Sequence, residues 1–522
     1  MRTILTGATV VDGLGKAFPG TVVLDGATIA EVRPGRWESA GNGDGSGHVL
    51  HLDRLVVAPG LIDMHSHDDV ASTDPRRYPA KIAQGVTTSL IGADGLAYAP
   101  VDPEHREALV RYWKTVNGPP QDLLSADWSG LAARLHGRLG INVGLAVPHG
   151  NLRIRHLGWG LSRLSGDALA CAVADVVRGL DEGGAYGVTT GLGYVPAVAA
   201  DFDELLAFCR PLVARDRIYA SHLRDYGTAI RGAIDEALDL GRTLGIRVHL
   251  SHLHLSHPKM FGRAPEVVEE LERARQAGIR LTWDLYPYTA ASSILHSYLP
   301  AWLLDGGPEP ALLRLRDPAV VEGLERDPAM AGFDWGRAVI AHTRSGSYIG
   351  RSVAEGAQAA GMTPARWMVR LLAEEELEVG AVIHQTLADD DACLAEASGA
   401  VVGSDGLGYG QLPHPRYYGA FAAFYDRHVR QRKTLSMVEA LAKMSTRSAE
   451  IVGLADRGRL VKGAAADVWV FDPDRYRARA TYEHPRQLAE GVVHVWINGV
   501  PVLTDGRIRP DVRPGRVLNV SR

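Results

Sequence analysis

Between residues 56 and 454, short apolar runs alternate with segments of helical period, and this rhythm restricts the fold more than any other feature of the chain. In TAIRGAIDEALDLGRTLG, Ile230, Ile234 and Leu238 recur at a spacing of four, Gly245 closes the segment, and the apolar run IRVHLSHL follows. PEVVEELERARQAG repeats the scheme, with Pro265 at its start, Gly278 at its end and IRLTWDLYPY after it. Repeated strand, helix, strand punctuation makes a parallel sheet with crossover helices, so the expected class is α/β and the expected architecture a (β/α)8 TIM barrel. Candidate strands near 56–64, 86–92, 141–147, 187–192, 217–223, 246–253, 279–286, 337–342, 379–384 and 400–405 outnumber the eight of a barrel, so one or two must lie outside it. The stretch from about 292 to 337 is long for a strand-to-helix connection and reads as an inserted subdomain covering the site.

The two ends have a different texture. The first 55 residues read as short strands and turns, TILTGATVV, TVVLDGATIAEV and HVLHLDRLVV, with a Gly/Ser-rich linker at 41–47. The C-terminal segment offers DVWVFDP, VVHVWINGVPV and a closing RPGRVLNV. Neither set alternates strongly enough to stand alone, so the expectation is one small β-sandwich-like domain built from both termini, 1–55 with 455–522, beside a barrel over 56–454.

Charge excludes several function classes. The chain has 56 Lys+Arg against 61 Asp+Glu, spread along its length, which leaves no basic field for a phosphate backbone or an anionic lipid surface. No stretch approaches the roughly 18 uncharged apolar residues of a spanning helix, and the N-terminus lacks the regions of a secretory signal. Neither nucleic acid nor membrane is expected as a partner, and the expected location is cytoplasmic. Cys171, Cys209 and Cys393 are far apart in helix-like apolar contexts and read as small buried side chains, not as a disulfide framework or a CxxC zinc site.

In a (β/α)8 barrel the chemistry sits at the C-terminal ends of the strands, so a polar residue that closes an apolar run is a candidate. VVAPGLIDMHSH, VTTSLIGAD, RIYASH, IRVHLSH, AVIHQ and AVVGSD offer His65, His67, Asp94, His222, His252, His384 and Asp405. His65 and His67 lie on one side of a strand and can reach one ion. Among 20 histidines in 522 positions an HxH arises roughly once by chance. The pair gains weight from the APG before it, from Asp68 and Asp69 after it, and from the histidines at later strand ends. His222 and His252 each close a strand in the same SHL context and suit two more ligands. His254 shares the face of His252 and could contact a substrate, whereas the odd offset turns His249 toward the helices and into packing. Asp405 precedes a glycine that frees the backbone to turn, and a carboxylate there can touch a metal and exchange protons with water, as base for attack and acid for the leaving amine.

Over nearly its whole length the chain resembles the amidohydrolase superfamily and, within it, the D-aminoacylase (N-acyl-D-amino-acid deacylase) family. The resemblance rests on APGLIDMHSHDD, QGVTTSLIGADGLAYAP, HGNLR, YGVTTGLGYVP, YASHLR, HLSHL, WDLYPYTAASS, VGSDG, HPRYYGAF and ADRGRLVKGAAADVWVFDP, in that order. It implies metal-dependent hydrolysis of a carbon–nitrogen amide bond, in an N-acyl-D-amino acid or a related N-acyl or dipeptide-like molecule, with one or two zinc ions. It also implies that His65 and His67 bind one zinc position, His222 and His252 the tighter one, and that Asp405 is the catalytic acid/base. Arg416 matches the arginine that grips the substrate carboxylate, a role suited to a planar bidentate donor. Tyr286 and Tyr288 match a tyrosine-bearing strand end that lines the pocket. Two positions depart from the family. Asp94, in GADG, replaces its cysteine; a carboxylate can also bridge metals, and its harder oxygens would admit manganese or cobalt. A carboxylated lysine bridge is excluded, since no lysine occurs between Lys114 and Lys259. His254 stands where the family tends to carry a lysine that helps hold the substrate carboxylate. A deaminase or cyclic-amide hydrolase of the same superfamily is the alternative, and a non-catalytic metabolite-binding relative a more distant one. The expected partner is a small amide substrate bearing a carboxylate, with homo-oligomerisation left open.

Overall fold

The computed structural model describes residues 2–38 and 47–520. The linker expected at 41–47 lies, apart from Gly47, outside the described residues. The fold is mixed α/β. Leu61–Asp63, Val86–Ile91, Asn142–Leu145, Val147–Pro148, Gly187–Gly191, Ile218–His222, Arg247–Leu250, Leu281–Leu285 and Ala400–Val402 are parallel strands, and each pairs with its neighbour in sequence order except where Ala146 divides the third into two pieces. The last returns to the first: the Met64 amide donates to the Val402 carbonyl at 3.4 Å, and Ser66 bridges Gly406 in parallel. These runs are continuously apolar because both faces are covered, as in Val86–Ile91, where all six residues are buried. The helix anticipated from Ile230, Ile234 and Leu238 spans Ile230–Leu244, buries all three, and stops at Gly245 in the left-handed conformation.

Two of the ten candidate strands leave this set. Ala338–Thr343 and Val379–His384 pair antiparallel with each other, and Ala290–Ile294 pairs with the second, giving a separate three-stranded sheet. Their apolar runs look like those of parallel strands because burial, which fixes composition, is indifferent to strand direction. Between Ile294 and Ala338 lie short helices at Pro308–Leu315, Pro318–Glu325 and Pro328–Gly332.

The candidate at 56–64 is divided by Gly60. Val56–Pro59 belongs to a nine-stranded sheet that unites Arg2–Val11, Ala17–Asp25, Thr28–Pro34 and His48–His51 with Val468–Phe471, Val492–Ile497, Val500–Thr504 and Arg507–Ile508. Both termini are thus in one hydrogen-bonded sheet. The closing RPGRVLNV departs from the expectation: Val517–Leu518 pairs in parallel with Val143 and Gly144 on the central strands, not with the terminal sheet. Of the three free cysteines expected as buried, only Cys209 is; Cys171 is exposed and Cys393 half-buried. No helix among the described residues is long and apolar enough to cross a membrane.

The terminal sheet docks on the centre through Trp469, whose ring is buried against Phe471 and Tyr476. Gly85, with φ of +85°, sits under that ring so closely that a Cβ atom would lie 2.4 Å from it. A Gly85→Ala substitution is expected to destabilise the protein by about 2 kcal/mol or more, through positive φ and overpacking together. Urea denaturation measures this, and an unchanged midpoint would show that the contact carries no weight.

Candidate metal centre

Six of the residues named from the sequence converge at the C-terminal ends of the parallel strands, and Asp94 is at their centre. Its Oδ1 is 3.5 Å from His65 Nε2 and 3.6 Å from His252 Nε2, and its Oδ2 is 3.6 Å from His67 Nε2 and 3.7 Å from His222 Nδ1. Asp405 Oδ1 closes one side, 3.3 Å from His67 Nε2 and 3.7 Å from His65 Nε2. Two triads result, His65–His67–Asp94 and Asp94–His222–His252, which share the carboxylate. A tetrahedral ion about 2.1 Å from each ligand needs ligand atoms about 3.4 Å apart, close to these separations. The buried His65 Nε2 and Asp94 Oδ1 have no hydrogen-bond partner, and a cation would satisfy both. The donor set therefore fits a divalent metal.

Local backbone geometry builds this arrangement. Asp94, His252 and Asp405 all have left-handed backbones, with φ of +56°, +33° and +47°. Gly191 makes room for the Asp94 turn, since a Cβ there would lie 2.2 Å from the Asp94 carbonyl oxygen. At the SDG turn it is Asp405, not the glycine after it, that takes positive φ; Gly406 is needed for space, because a Cβ there would lie 3.0 Å from the Tyr417 Cα. The turn at His252 breaks the period-two alternation, and that corrects the expectation for His249. Its ring faces Asp284, to which Nε2 lies at 2.8 Å, while Nδ1 lies 2.8 Å from Thr282 Oγ1.

Asp284 escaped the sequence reading. It is fully buried, accepts the His252 amide at 3.0 Å through Oδ1, and places Oδ2 3.7 Å from His65 Nδ1. A carboxylate inside the apolar run LTWDL was the available signal. Asn117 Oδ1, 3.0 Å from His67 Nδ1, had none, being one polar residue at the end of an amphipathic helix. Beneath the histidines Lys81 is fully buried, with Nζ 2.5 Å from Asp63 Oδ2, 3.0 Å from Asp68 Oδ2 and 2.9 Å from Ser404 Oγ.

The cavity above the triads has a volume of about 610 Å³, and His67, Asp94, His222, His252 and Asp405 line it. His254 lines it too. Its Nδ1 donates to the His252 carbonyl at 2.5 Å and its Nε2 lies 3.1 Å from Gln385 Nε2. Tyr286 lines the cavity and stacks under Arg416, whose guanidinium carbon is 4.4 Å from the ring centre. Arg416 is fully buried and does not itself line the cavity; NH2 binds Asp405 Oδ2 at 2.9 Å and the Ser292 carbonyl at 3.1 Å, while Nε and NH1 have no partner. Tyr288 packs instead against His414 and Tyr482 and does not line the cavity. His384 ends a strand of the antiparallel sheet, exposed, beside Tyr482.

Electrostatics suit a cation. Burial favours the neutral form of Asp405, but Arg416 and His252 hold its carboxyl well below the usual range. Burial likewise opposes charge on His65 and His67, yet Asp94, Asp284 and Asp405 lift His65 to about 9, and hydrogen bonds to Asp405 and Asp94 lift His67 to about 10. Burial and the neighbouring His252 push His254 down to about 3, so it is neutral at pH 7.

Known proteins share this frame. Residues 299–503 match the amidohydrolase family. The chain is 32% identical over 99% of its length to an N-acyl-D-glutamate deacylase of Alcaligenes xylosoxydans xylosoxydans, covering 96% of that protein. It is 31% identical over 96% of its length to a D-aminoacylase of the same organism, covering 94% of it. The chain belongs to the D-aminoacylase family of amidohydrolases. A crystal structure of N-acyl-D-glutamate deacylase from Bordetella bronchiseptica, complexed with zinc and a phosphonate inhibitor that mimics the tetrahedral intermediate, superposes with a TM-score of 0.83 at 28% identity, covering 99% of both chains. Within this D-aminoacylase-type amidohydrolase the two triads are the candidate metal ligands.

One consequence is measurable. With His65 near 9 and His67 near 10 in the metal-stripped protein, both rings are protonated at pH 7 and must become neutral to ligate. Metal uptake by this amidohydrolase is therefore expected to release more than one proton at pH 7, and its affinity to rise with pH up to about 10, less steeply above 9. Calorimetry in two buffers of different ionisation enthalpy reads the release, and uptake with none would contradict the field described.

Proposed function

We propose that the chain removes the acyl group from an N-acyl-D-amino acid, with zinc held by His65, His67, Asp94, His222 and His252. The observation that carries this reading is the double role of the Asp405 carboxylate: one oxygen faces the ligands His65 and His67, and the other is gripped by Arg416. Such a group stands where a proton must move, beside a buried guanidinium that has two unpartnered nitrogens and packs on the cavity-lining Tyr286. The named activity of the relatives supports it. We further read the eight parallel strands as a closed (β/α)8 barrel within 56–454, the terminal sheet as a small β-domain drawn from 1–55 and 455–522, with Val56–Pro59 joining that sheet and Val517–Leu518 pairing on the barrel, and the segment around 292–337 as an insertion that walls the site. The circular order of pairing and the lining residues Ser292, Tyr298 and Phe333 support this.

Bound zinc supplies Lewis acidity toward the scissile carbonyl and acidifies water toward a pKa of about 7. Asp405, held ionised by Arg416, accepts the proton of the attacking water and delivers it to the departing nitrogen. Arg416 Nε and NH1 orient the substrate carboxylate, and the Tyr286 ring fixes the guanidinium plane. Asp284 and Asn117 hold His65 and His67 in position. The oxygen donors of Asp94 admit manganese or cobalt in place of zinc.

Amine release from N-acetyl-D- and N-acetyl-L-amino acids tests the proposal, with hydrolysis of the D series expected. Asp405→Asn is expected to lower kcat by about 10³-fold, within the range of general acid–base catalysis, while elemental analysis finds the metal retained. Full turnover by that variant with metal bound would sink the assignment.

A further inference from the structure

Identity does not choose among the family's substrates, since 32% to a D-glutamate enzyme and 31% to a D-aminoacylase are equivalent. The charges around the cavity do choose. Arg224 is the sole arginine or lysine among the described residues that line it. Each of its guanidinium nitrogens already donates, and Glu236 pairs its charge: Nε to Glu236 Oε2 at 2.9 Å, NH1 to the Val198 carbonyl at 2.8 Å, and NH2 to the Ala200 carbonyl at 2.5 Å and Glu236 Oε1 at 3.0 Å. Both ring nitrogens of His254 are engaged, with the His252 carbonyl and Gln385. Arg416 does not itself line the cavity but packs on the lining Tyr286, and its two unpartnered nitrogens suffice for at most one bidentate carboxylate.

Next to Arg224 the cavity wall carries Asp225. Its Oδ1 accepts from the Gly227 amide at 2.7 Å and the Ala229 amide at 2.9 Å, and no cation among the described residues pairs with it. A ligand with a second carboxylate would meet this negative charge where the neighbouring arginine is already paired with Glu236. Val116, Tyr194, Tyr226, Tyr298, Phe333 and Leu407 give the wall an aromatic and aliphatic portion, and the other polar groups on it, such as Thr228, Ser256, His257 and Ser293, include no arginine or lysine. We propose that the cavity selects N-acyl-D-amino acids whose side chain bears no negative charge, and that Asp225 is the residue that discriminates against D-glutamate and D-aspartate derivatives. This rests on the deacylase reading above.

The experiment compares kcat/KM of the zinc-loaded enzyme for N-acetyl-D-leucine and N-acetyl-D-phenylalanine with those for N-acetyl-D-glutamate and N-acetyl-D-aspartate, in the native protein and in Asp225→Asn. The native enzyme is expected to favour the neutral pair at least about tenfold, and Asp225→Asn to narrow that ratio by about tenfold, through a lower KM for the acidic pair. Each ratio is internal to one preparation, so a loss of folded enzyme cancels. Equal or better turnover of the acidic pair by the native enzyme overturns the selectivity and leaves the deacylase reading standing. A ratio unchanged in Asp225→Asn overturns the role of Asp225. No amine release from any of the four overturns the deacylase reading, and this inference with it.

Discussion

A buried ammonium is costly unless paired, and Lys81 is paired twice, with Asp63 and with Asp68. Asp63 ends the first parallel strand, and Ser404, which gives its amide to Asp63 Oδ1 at 2.7 Å and its hydroxyl to Oδ2 at 2.6 Å, lies in the turn after the last. One cation thus fastens the seam at which the parallel set returns on itself. The functional geometry inherits that fastening, because the Asp405 amide donates to the His65 carbonyl at 2.8 Å two residues beyond Asp63. The first two histidines and the acid/base candidate are held by the same buried charges.

From that seam outward, Asp94 organises the centre. Each of its two oxygens serves one histidine of each triad, so a single carboxylate gives both candidate positions part of their negative charge. Three aspartates, Asp94, Asp284 and Asp405, surround His65 within 3.7 Å, and their field outweighs the desolvation that would keep a buried imidazole neutral. At His254 burial and the neighbouring His252 outweigh the pull of Asp405, and the balance is the opposite.

Much of this was legible in the chain because strand ends announce themselves. His65, His67, Asp94, His222, His252 and Asp405 each close an apolar run, and an apolar run is what a covered parallel strand requires. Less legible was anything that depended on backbone reversal or on pairing direction. His249 required knowing that His252 turns left-handed, and the runs at 337–342 and 379–384 carried no mark that they pair antiparallel. Val517–Leu518 looked like its neighbours in sequence, although its partner lies on a strand far away in the chain. Asn117 and Gln385 stand outside any motif, and only three-dimensional contact gives them meaning.

The left-handed backbones at Asp94, His252 and Asp405 have a consequence for how such a protein changes over generations. Each non-glycine residue held there costs of order 1 kcal/mol or more, aspartate being more tolerant than histidine, so the centre is a strained part of the fold. Glycine would relieve the strain at all three positions and abolish the ligand or the proton carrier at each. Stability and function therefore pull in opposite directions at these three positions, because the backbone angles that cost the fold free energy are the ones that aim the side chains at the centre.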